Sequence, residues 1–332
     1  GMKFGLWIEP EMVNKDSDLY RKHPDWILQT PGRRVSHGRY QYVLDFSRKE
    51  IVDYIYGMIA KLLSESNISY IKWDMNRSIT ECYSIAYPAD QQGEIFHRYI
   101  LGVYDLYERL TSAFPEVLFE SCASGGGRFD PGMLYYAPQG WVSDDSDAVE
   151  RLKIQYGTSM CYPLSSMGSH VSVIPNHQVF RNTPLHTRAN VAYFGTFGYE
   201  LDLNKLSDAE IEEVKAQIRF MKEYRELLQF GTFYRLKSPF NGNETVWMVV
   251  SEDKSKALVG YYRVLNGVNL PYSCVKLQGL DPDKLYENEL ANTEHYGDEL
   301  MNLGLITTDV SAGEVPQGAE PCTDFESRIY LL

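Results

Sequence analysis

The sequence predicts an α/β fold, a TIM-type (β/α)8 barrel that lacks its first strands, followed by a C-terminal antiparallel β-sandwich domain. Strand and helix patterns alternate through residues 1–230, and polar residues follow several consecutive strands. From residue 231 to residue 332, strand patterns continue with no helical period between them. A doubly wound sheet also binds ligands at the carboxyl ends of its strands, but at a single switch point. Polar clusters after several strands therefore favour the barrel.

The predicted barrel elements alternate along the chain: strands at 3–8, 68–73, 116–119 and 141–142, and helices at about 48–65, at 95–110 and from 207 onward. The first and last helices each begin with an S-x-x-E capping box, at 47–50 and 207–210. Pro115 ends the middle helix, because proline cannot continue one.

The C-terminal strands are predicted at 245–250, 257–262, 273–277 and 328–332. Turn residues separate them, as is typical of an antiparallel domain. The region before them is shorter than the roughly 250 residues of a complete eight-stranded barrel. The chain also opens directly in a strand pattern after Gly1-Met2. We therefore expect a fragment whose first barrel strands are missing.

The composition limits the classes of partner. The chain has 332 residues and a formal net charge of −13, without a basic run, which argues against nucleic acids and anionic membrane surfaces. Aromatic residues make up 13% of the chain, and their flat faces with polar edges suit sugars or simply fill a large core. Five widely spaced cysteines without a C-x-x-C pair favour a reducing, cytoplasmic compartment over a disulfide framework or zinc site. No apolar stretch is long enough to span a bilayer.

Two groups of carboxylates follow predicted strands: Asp74 alone, and Asp144, Asp145 and Asp147 together. Glycoside hydrolysis needs two facing carboxyl groups, one that attacks the anomeric carbon or activates water and one that protonates the leaving oxygen. Strand alternation places Lys72, Asp74 and Asn76 on one face, a donor–acceptor–donor set that fits sugar hydroxyls. Lys72 would also keep a neighbouring carboxylate ionised.

Each carboxylate group has a structural alternative. Asp74 could form an ion pair with Lys72 or Arg77 at the end of its strand. The acidic group S-D-D-S-D resembles a helix N-terminal cap, where aspartate is favoured by the helix dipole. A calcium site is not indicated, because no 12-residue loop ending in glutamate follows.

Other polar residues give weaker signals. The glycine-rich turn at 124–127 lacks the G-K-[ST] of a phosphate-binding loop, and its glycines are expected to let the backbone approach a ligand. Cys122 has no histidine placed by a motif, so a small apolar wall is favoured over a nucleophilic thiol. The histidines in a Pro/Ser-rich region form no zinc pattern and are interpreted as structural: His170, His177 and His186. Trp7 taken alone indicates core packing.

Five long segments in this order resemble glycoside hydrolase family 36, the retaining α-galactosidases that act on raffinose-type sugars. They are FGLWIEPEMVN, HGRYQYVLDFSR, YIKWDMNR, ESCASGGGRFDPGMLYY and WVSDDSDAVERLKIQYGTS. The resemblance covers most of the βα region and is specific, since each segment is long. The C-terminal region is consistent with the family but carries no motif of its own.

The resemblance implies a role for each matching residue: Asp74 as nucleophile, Asp144 as general acid/base, Lys72 and Asn76 as ligands of galactose hydroxyls, Arg39 and Cys122 as pocket lining, and Trp7 as a sugar-facing wall. It implies α-galactoside oligosaccharides such as melibiose and raffinose as substrates, with no metal or cofactor. Retention predicts that the two carboxyl groups lie about 5–6 Å apart. The resemblance leaves homo-oligomerisation open.

The same resemblance implies a longer protein, with an N-terminal β-sandwich and earlier barrel strands whose acids and tryptophan complete the galactose pocket. The resemblance therefore does not imply hydrolysis by this chain alone. The alternatives are an α-N-acetylgalactosaminidase or transglycosylase, a non-catalytic carbohydrate-binding protein, and a structural or assembly fragment. Intact activity of the full-length protein with Asp74→Asn would favour the last of these.

Overall fold

The computed structural model describes residues 1–268, 273–307 and 324–332, which form two compact units, Gly1–Asp144 and Asp145–Leu332. The first unit holds a parallel sheet with helices beside it. The second holds a parallel strand pair with its helices and an antiparallel C-terminal region. In the part of the chain that is described, no helix is both long and apolar enough to cross a membrane.

The first unit contains, in chain order, β1 (Gly5–Ile8), β2 (Met12–Asn14), α1 (Asp18–Lys22), β3 (Gln41–Val43), α2 (Lys49–Glu65), β4 (Tyr70–Trp73), α3 (Ile95–Ala113), β5 (Leu118–Ser121), α4 (Pro131–Tyr136) and β6 (Gln139–Gly140). A 3₁₀ turn, Ala89–Glu94, precedes α3. The sheet order is β1–β4–β5–β6, and all three pairings are parallel. The alternation of strands and helices predicted for this region is confirmed.

Helices α2 and α3 form because their apolar residues recur on one face. The buried residues of α3 include the whole predicted stripe: Ile95, Tyr99, Val103, Leu106 and Leu110. Burying each such side chain contributes about 1.5–3 kcal/mol. They join one hydrophobic core with Ile71, Trp73 and Phe119 of the sheet. This core anchors β4 and β5, so that their carboxyl ends are held in fixed positions.

The predicted capping box at 47–50 is wrong. Helix α2 begins at Lys49 after Arg48, which makes no side-chain cap bond. The Ser47 hydroxyl donates instead to Asp45, which also accepts the Ser47 backbone N–H at 3.2 Å. An acceptor upstream therefore draws Ser47 away from the helix.

Two predicted strands are displaced by about two residues. Strand β5 starts at Leu118, because the Val117 N–H is bonded in a turn to the Phe114 carbonyl at 3.0 Å. Strand β6 ends at Gly140 rather than covering 141–142. The Trp141 N–H still bonds the Ser121 carbonyl at 2.9 Å, so the residue continues the line of β6 just past its end.

The second unit contains, in chain order, α5 (Ala148–Thr158), β7 (Gly168–Ser172), α6 (Leu185–Ala192), β8 (Thr196–Glu200), α7 (Asp208–Phe230), β9 (Thr232–Lys237), β10 (Glu244–Val250), β11 (Ala257–Arg263), β12 (Cys274–Val275), β13 (Leu285–Asn288), β14 (Thr293–Tyr296), α8 (Gly297–Asn302), β15 (Leu305–Ile306) and β16 (Glu326–Leu331). Short 3₁₀ turns lie at Leu164–Ser166 and Leu203–Lys205. The capping box of Ser207 and Glu210 is present with both reciprocal bonds, as predicted.

The C-terminal region is antiparallel, as predicted. Its main sheet has the order β16–β11–β10–β9, and two strand pairs accompany it, β12–β15 and β13–β14. The expectation that no helix interrupts this region is wrong, because α8 lies between β14 and β15. This helix has six residues and buries Gly297 and Leu300, too few for a helical period to be visible in the sequence.

Candidate active site

A row of side chains crosses the parallel sheet near the carboxyl ends of its strands. The strand register pairs Trp7 with Lys72, Lys72 with Glu120, and Glu120 with Gln139. The Lys72 Nζ lies 3.2 Å from Glu120 Oε1, and Gln139 Nε2 donates to Glu120 Oε2 at 3.3 Å. The Tyr70 hydroxyl donates to the same Glu120 carboxylate. Lys72 is thus held by a buried carboxylate of the neighbouring strand.

Asp74 lies directly after β4 and is buried, with 5% of its surface exposed. Its Oδ2 accepts hydrogen bonds from the Trp7 indole at 3.1 Å and the Asn76 amide at 2.6 Å. Its Oδ1 accepts the backbone N–H groups of Met75 at 2.8 Å and Ser124 at 3.4 Å. Four N–H donors therefore hold the carboxylate in one orientation.

The structure does not favour the ion-pair interpretation of Asp74. Lys72 pairs with Glu120, and the Arg77 guanidinium lies 3.8 Å from Glu81 and donates to the Gln41 carbonyl. Within residues 1–268, 273–307 and 324–332, Asp74 takes part in no ion pair. The β4–β5 register instead places Glu120 opposite that lysine.

Glu9 organises the other side of Asn76 and was missed by sequence reasoning. Its Oε1 accepts from the Asn76 amide at 2.8 Å and from Arg39 Nη1 at 3.2 Å, and its Oε2 accepts from Gln41 at 2.9 Å. The Ser124 hydroxyl donates to the Asn76 oxygen at 3.4 Å, which fixes the orientation of the amide. The signal was the W-I-E-P-E segment after the first strand, where polar residues follow a strand end.

Arg39 lies on an exposed loop and reaches the site through its ion pair with Glu9. Arg39 and Tyr40 have φ angles of 51° and 62°, in the left-handed region that non-glycine residues rarely adopt. Such backbone costs on the order of 1–3 kcal/mol per residue and is found preferentially at ligand sites. The loop conformation is therefore consistent with a role for Arg39 at the site.

Asp144 differs from Asp74 in being exposed. Its Oδ1 accepts the Trp141 indole N–H at 3.2 Å. The capping interpretation of the acidic group holds for Asp147, which is the N-cap of α5 and accepts from the Val149 and Glu150 N–H groups. Because Asp147 provides the cap, Asp144 is left for another role.

The glycine-rich turn has a different explanation from the one expected. A Cβ on Gly125 would lie 2.8 Å from the Asp144 nitrogen, and one on Gly126 would lie 2.4 Å from the Val142 carbonyl oxygen. Gly125 also has a φ of +78°. The glycines are required because the backbone that carries Asp144 crosses directly over the turn.

Cys122 is buried beside Asp74. Burial, and next the charge of Asp74, raise the pKa of its thiol to about 12. The thiol therefore stays protonated at neutral pH and cannot act as a nucleophile there. A protonated thiol is compatible with the small apolar wall predicted for Cys122.

A buried ion pair between Arg128 and Glu11 lies next to Trp73, the last residue of β4. The Arg128 guanidinium donates to both oxygens of Glu11, at 2.8 and 2.9 Å, and Glu11 also accepts from the Trp73 indole at 2.7 Å and the Tyr99 hydroxyl at 2.5 Å. Burial alone would raise the pKa of Glu11, but Arg128 and these hydrogen bonds hold it below its ordinary value. The pair joins the glycine-rich turn region to the segment after β1.

The remaining sequence candidates contribute no metal centre. His170 Nδ1 lies 3.5 Å from the Glu200 carboxylate within the second unit. No group of three or more His, Cys, Asp and Glu side chains in the described part of the chain is arranged to hold a metal ion.

Comparison with known proteins identifies the family. The sequence model of the Melibiase family matches residues 1–231, and that of the glycosyl hydrolase family 36 C-terminal domain matches residues 244–332. The chain belongs to the melibiase family. It is 57% identical over 305 residues to α-galactosidase AgaA of Geobacillus stearothermophilus, and the aligned region covers 92% of this chain and 42% of that relative. It is 52% identical over 304 residues to α-galactosidase Mel36A of Lactobacillus acidophilus, and the aligned region covers 92% of this chain and 41% of that relative.

The crystal structure of the Geobacillus AgaA enzyme superposes with a TM-score of 0.94, at 53% identity, over 99% of this chain and 44% of that one. The melibiase fold, a (β/α) barrel followed by an antiparallel sheet domain, thus confirms the predicted fold class. The chain spans about two fifths of the length of the curated melibiase relatives that it matches, 42% for AgaA.

Proposed function

We propose that the protein acts as a retaining exo-α-galactosidase, which hydrolyses terminal α-galactosyl residues of melibiose- and raffinose-type oligosaccharides by double displacement. The observation that carries the proposal is the Asp74 carboxylate, which follows a parallel strand in a melibiase chain and accepts four N–H donors. A carboxylate fixed in this way has one orientation in which to attack, and its charge is neutralised by hydrogen-bond donors rather than by a cation.

In the first displacement, an Asp74 oxygen attacks the anomeric carbon while Asp144 gives its proton to the leaving glycosidic oxygen. The bond to the leaving sugar breaks, and a β-galactosyl ester of Asp74 forms. In the second displacement, Asp144 accepts a proton from water, the water oxygen bonds to the anomeric carbon, and the ester bond breaks. Two inversions return the α configuration.

The spacing of the two aspartates supports the substrate class. Structures of the Geobacillus AgaA enzyme with raffinose and with stachyose carry aspartate substitutions that lie 70 positions apart. Asp74 and Asp144 are separated by the same interval. The pocket of this chain is proposed to take the same galactosyl end of such sugars.

The other pocket residues have proposed roles that follow their contacts. Lys72 and Asn76 bind galactose hydroxyls, each held by a carboxylate, Glu120 or Glu9. Trp7, with 46% of its surface exposed, offers a flat wall to the sugar. Arg39 and Cys122 complete the lining.

Covalent trapping tests the proposal. The protein is incubated with an activated 2-fluoro-galactosyl donor, digested, and mapped by mass spectrometry for a galactosyl adduct. An adduct on the peptide that contains Asp74 is expected, and an adduct on any other residue would overturn the mechanism. Proton NMR of the first product formed from a synthetic galactoside should show the α anomer, and the β anomer would indicate inversion.

Related activities are separate outcomes of the same assays. Turnover of an N-acetylgalactosaminide or formation of longer sugars would instead indicate an α-N-acetylgalactosaminidase or a transglycosylase. Galactose binding without turnover would indicate a carbohydrate-binding protein.

We also propose that residues 1–230 form the catalytic barrel portion and residues 231–332 the C-terminal domain, supported by the limits of the two family matches, 1–231 and 244–332. The cytoplasm is the proposed compartment, supported by cysteines that are free in the described structure: Cys82, Cys122, Cys161 and Cys274. Homo-oligomerisation stays a prediction that light scattering would test.

A further inference from the structure

Trp141 connects groups from three parts of the candidate site. Its indole N–H donates to Asp144 Oδ1 at 3.2 Å, and the Lys72 Nζ lies 4.4 Å from the centre of its ring. Lys72 is in turn held 3.2 Å from Glu120. One indole therefore links a cation of β4 to the carboxylate proposed as acid/base.

The indole is held in place before any substrate binds. Trp141 is 4% exposed, and its backbone N–H bonds the Ser121 carbonyl at the end of β5. Gly125 and Gly126 let the backbone at 142–144 lie close over the turn, which sets the distance from the indole to Asp144. A bulky residue at either glycine would displace that backbone.

The two proposed catalytic aspartates share one type of donor. The Trp7 indole donates to Asp74 at 3.1 Å, and the Trp141 indole donates to Asp144 at 3.2 Å. The Trp7 indole is one of four donors to Asp74. The Trp141 indole, in the described structure, is the one hydrogen-bond donor to the Asp144 side chain. Removing it should therefore affect Asp144 more than removal of Trp7 affects Asp74.

We propose that Trp141 is a positioning residue for Asp144, whose carboxylate its N–H orients, while Lys72 fixes the plane of the indole. A hydrogen bond to the charged form of an acid stabilises that form. A cation over the ring face is attracted to the indole and also makes its N–H a stronger donor. The inference rests on the proposed function, because the acid/base role of Asp144 comes from it.

The consequence concerns both displacements. Asp144 must give up a proton in the first and accept one in the second, so the balance between its two forms affects both rates. The charged groups on the elements that carry the cluster are Lys72, Asp74, Glu120 and Asp145. A Trp141→Phe substitution changes none of them and keeps a ring beneath Lys72.

Carbon-13 NMR of the Asp144 carboxyl group tests the inference without requiring activity. The protein is labelled at its aspartate carboxyl carbons, and the Asp144 signal is assigned with an Asp144→Asn variant. In Trp141→Phe, the titration midpoint of that signal should move up, because the variant lacks one hydrogen bond to the charged form of the carboxyl group. Trp7→Phe, the matched control, should leave the Asp144 signal in place.

Two further variants keep the test decisive. Lys72→Met should shift the Asp144 midpoint in the same direction but less, and no shift would exclude Lys72 from the proposal. Should Trp141→Phe fail to fold, 3-benzothienylalanine at position 141 keeps the size of the side chain while sulfur replaces the N–H.

An unchanged Asp144 titration in a folded Trp141 variant would overturn the inference, whatever the hydrolytic activity. Conversely, a galactosyl adduct away from Asp74 would overturn the proposed function and leave the indole bond intact. In active protein, the basic limb of the kcat/KM profile should follow the NMR shift, which a merely structural tryptophan would not produce.

Discussion

Asp74 and Asp144 follow strands of the same sheet but lie in opposite kinds of surroundings. Asp74 is buried, accepts four N–H donors and borders a thiol whose pKa is raised to about 12. Asp144 is exposed and, in the part of the chain described, accepts one indole N–H. The number of donors, rather than the strand position, separates the two carboxylates.

This difference matches the two proposed tasks. A nucleophile must keep its direction of attack, and hydrogen-bond donors in fixed positions provide this. An acid/base residue must exchange protons with substrate and water, so it needs access and weak restraint.

The largest effect is expected from Asp74→Ala, because the substitution removes the carboxylate proposed to form the galactosyl ester. Turnover should be abolished. Added azide should attack the α-galactoside directly from the vacated side and give β-galactosyl azide, measured by NMR. The α-galactosyl azide would show that the nucleophile is a different residue.

Asp144→Ala should reduce kcat/KM for raffinose roughly 10²–10⁴-fold, the usual contribution of general acid catalysis. A dinitrophenyl galactoside should lose much less in the first displacement, because its leaving group needs no proton. Azide should now attack the galactosyl-enzyme and give α-galactosyl azide. Equal losses with both substrates would argue against an acid/base role.

Arg128→Met tests the buried ion pair between Arg128 and Glu11, since the substitution leaves the Glu11 carboxylate buried without its cation. Such a change costs about 3–5 kcal/mol of the free energy of unfolding, measured by urea denaturation. Arg109→Met, which breaks partly exposed ion pairs with Asp53 and Asp105, should cost less than about 1 kcal/mol and serves as the control. Similar losses in both would contradict the argument from burial.

The same pair gives a pH dependence with a definite sign. The folded-state pKa of Glu11 lies below its ordinary value of 4.5, so its stabilisation is fully present above pH 4.5. That contribution is lost as the pH falls through the folded-state value. The free energy of unfolding of the wild-type protein should therefore fall on acidification. Arg128→Met should show less of this fall, because it has already lost the contribution of the ion pair at neutral pH.

The sequence was sufficient for features that depend on local pattern. Periodicity predicted the buried face of α3, and alternation placed Asp74 and Asn76 on one face, where they share a hydrogen bond at 2.6 Å. Features that depend on which strands are neighbours could not be predicted. Glu120 meets Lys72 only through the β4–β5 register, and Gly125 is explained only by the backbone that crosses it.

The smallest effect is expected from Glu9→Gln. This variant tests whether the hydrogen bond from Asn76 to Asp74 depends on the contact between Asn76 and Glu9. The variant keeps the size of the side chain but weakens its hold on the Asn76 amide and removes the charge opposite Arg39. We expect kcat/KM to fall about tenfold, the equivalent of about 1.4 kcal/mol, which is close to the lower end of the range for a hydrogen bond to a charged group. Gln41→Leu removes the third contact of Glu9 while sparing Asn76 and Arg39, so it should have little effect. If both variants behaved alike, Asn76 would be held without Glu9, and the four donors of Asp74 would suffice by themselves.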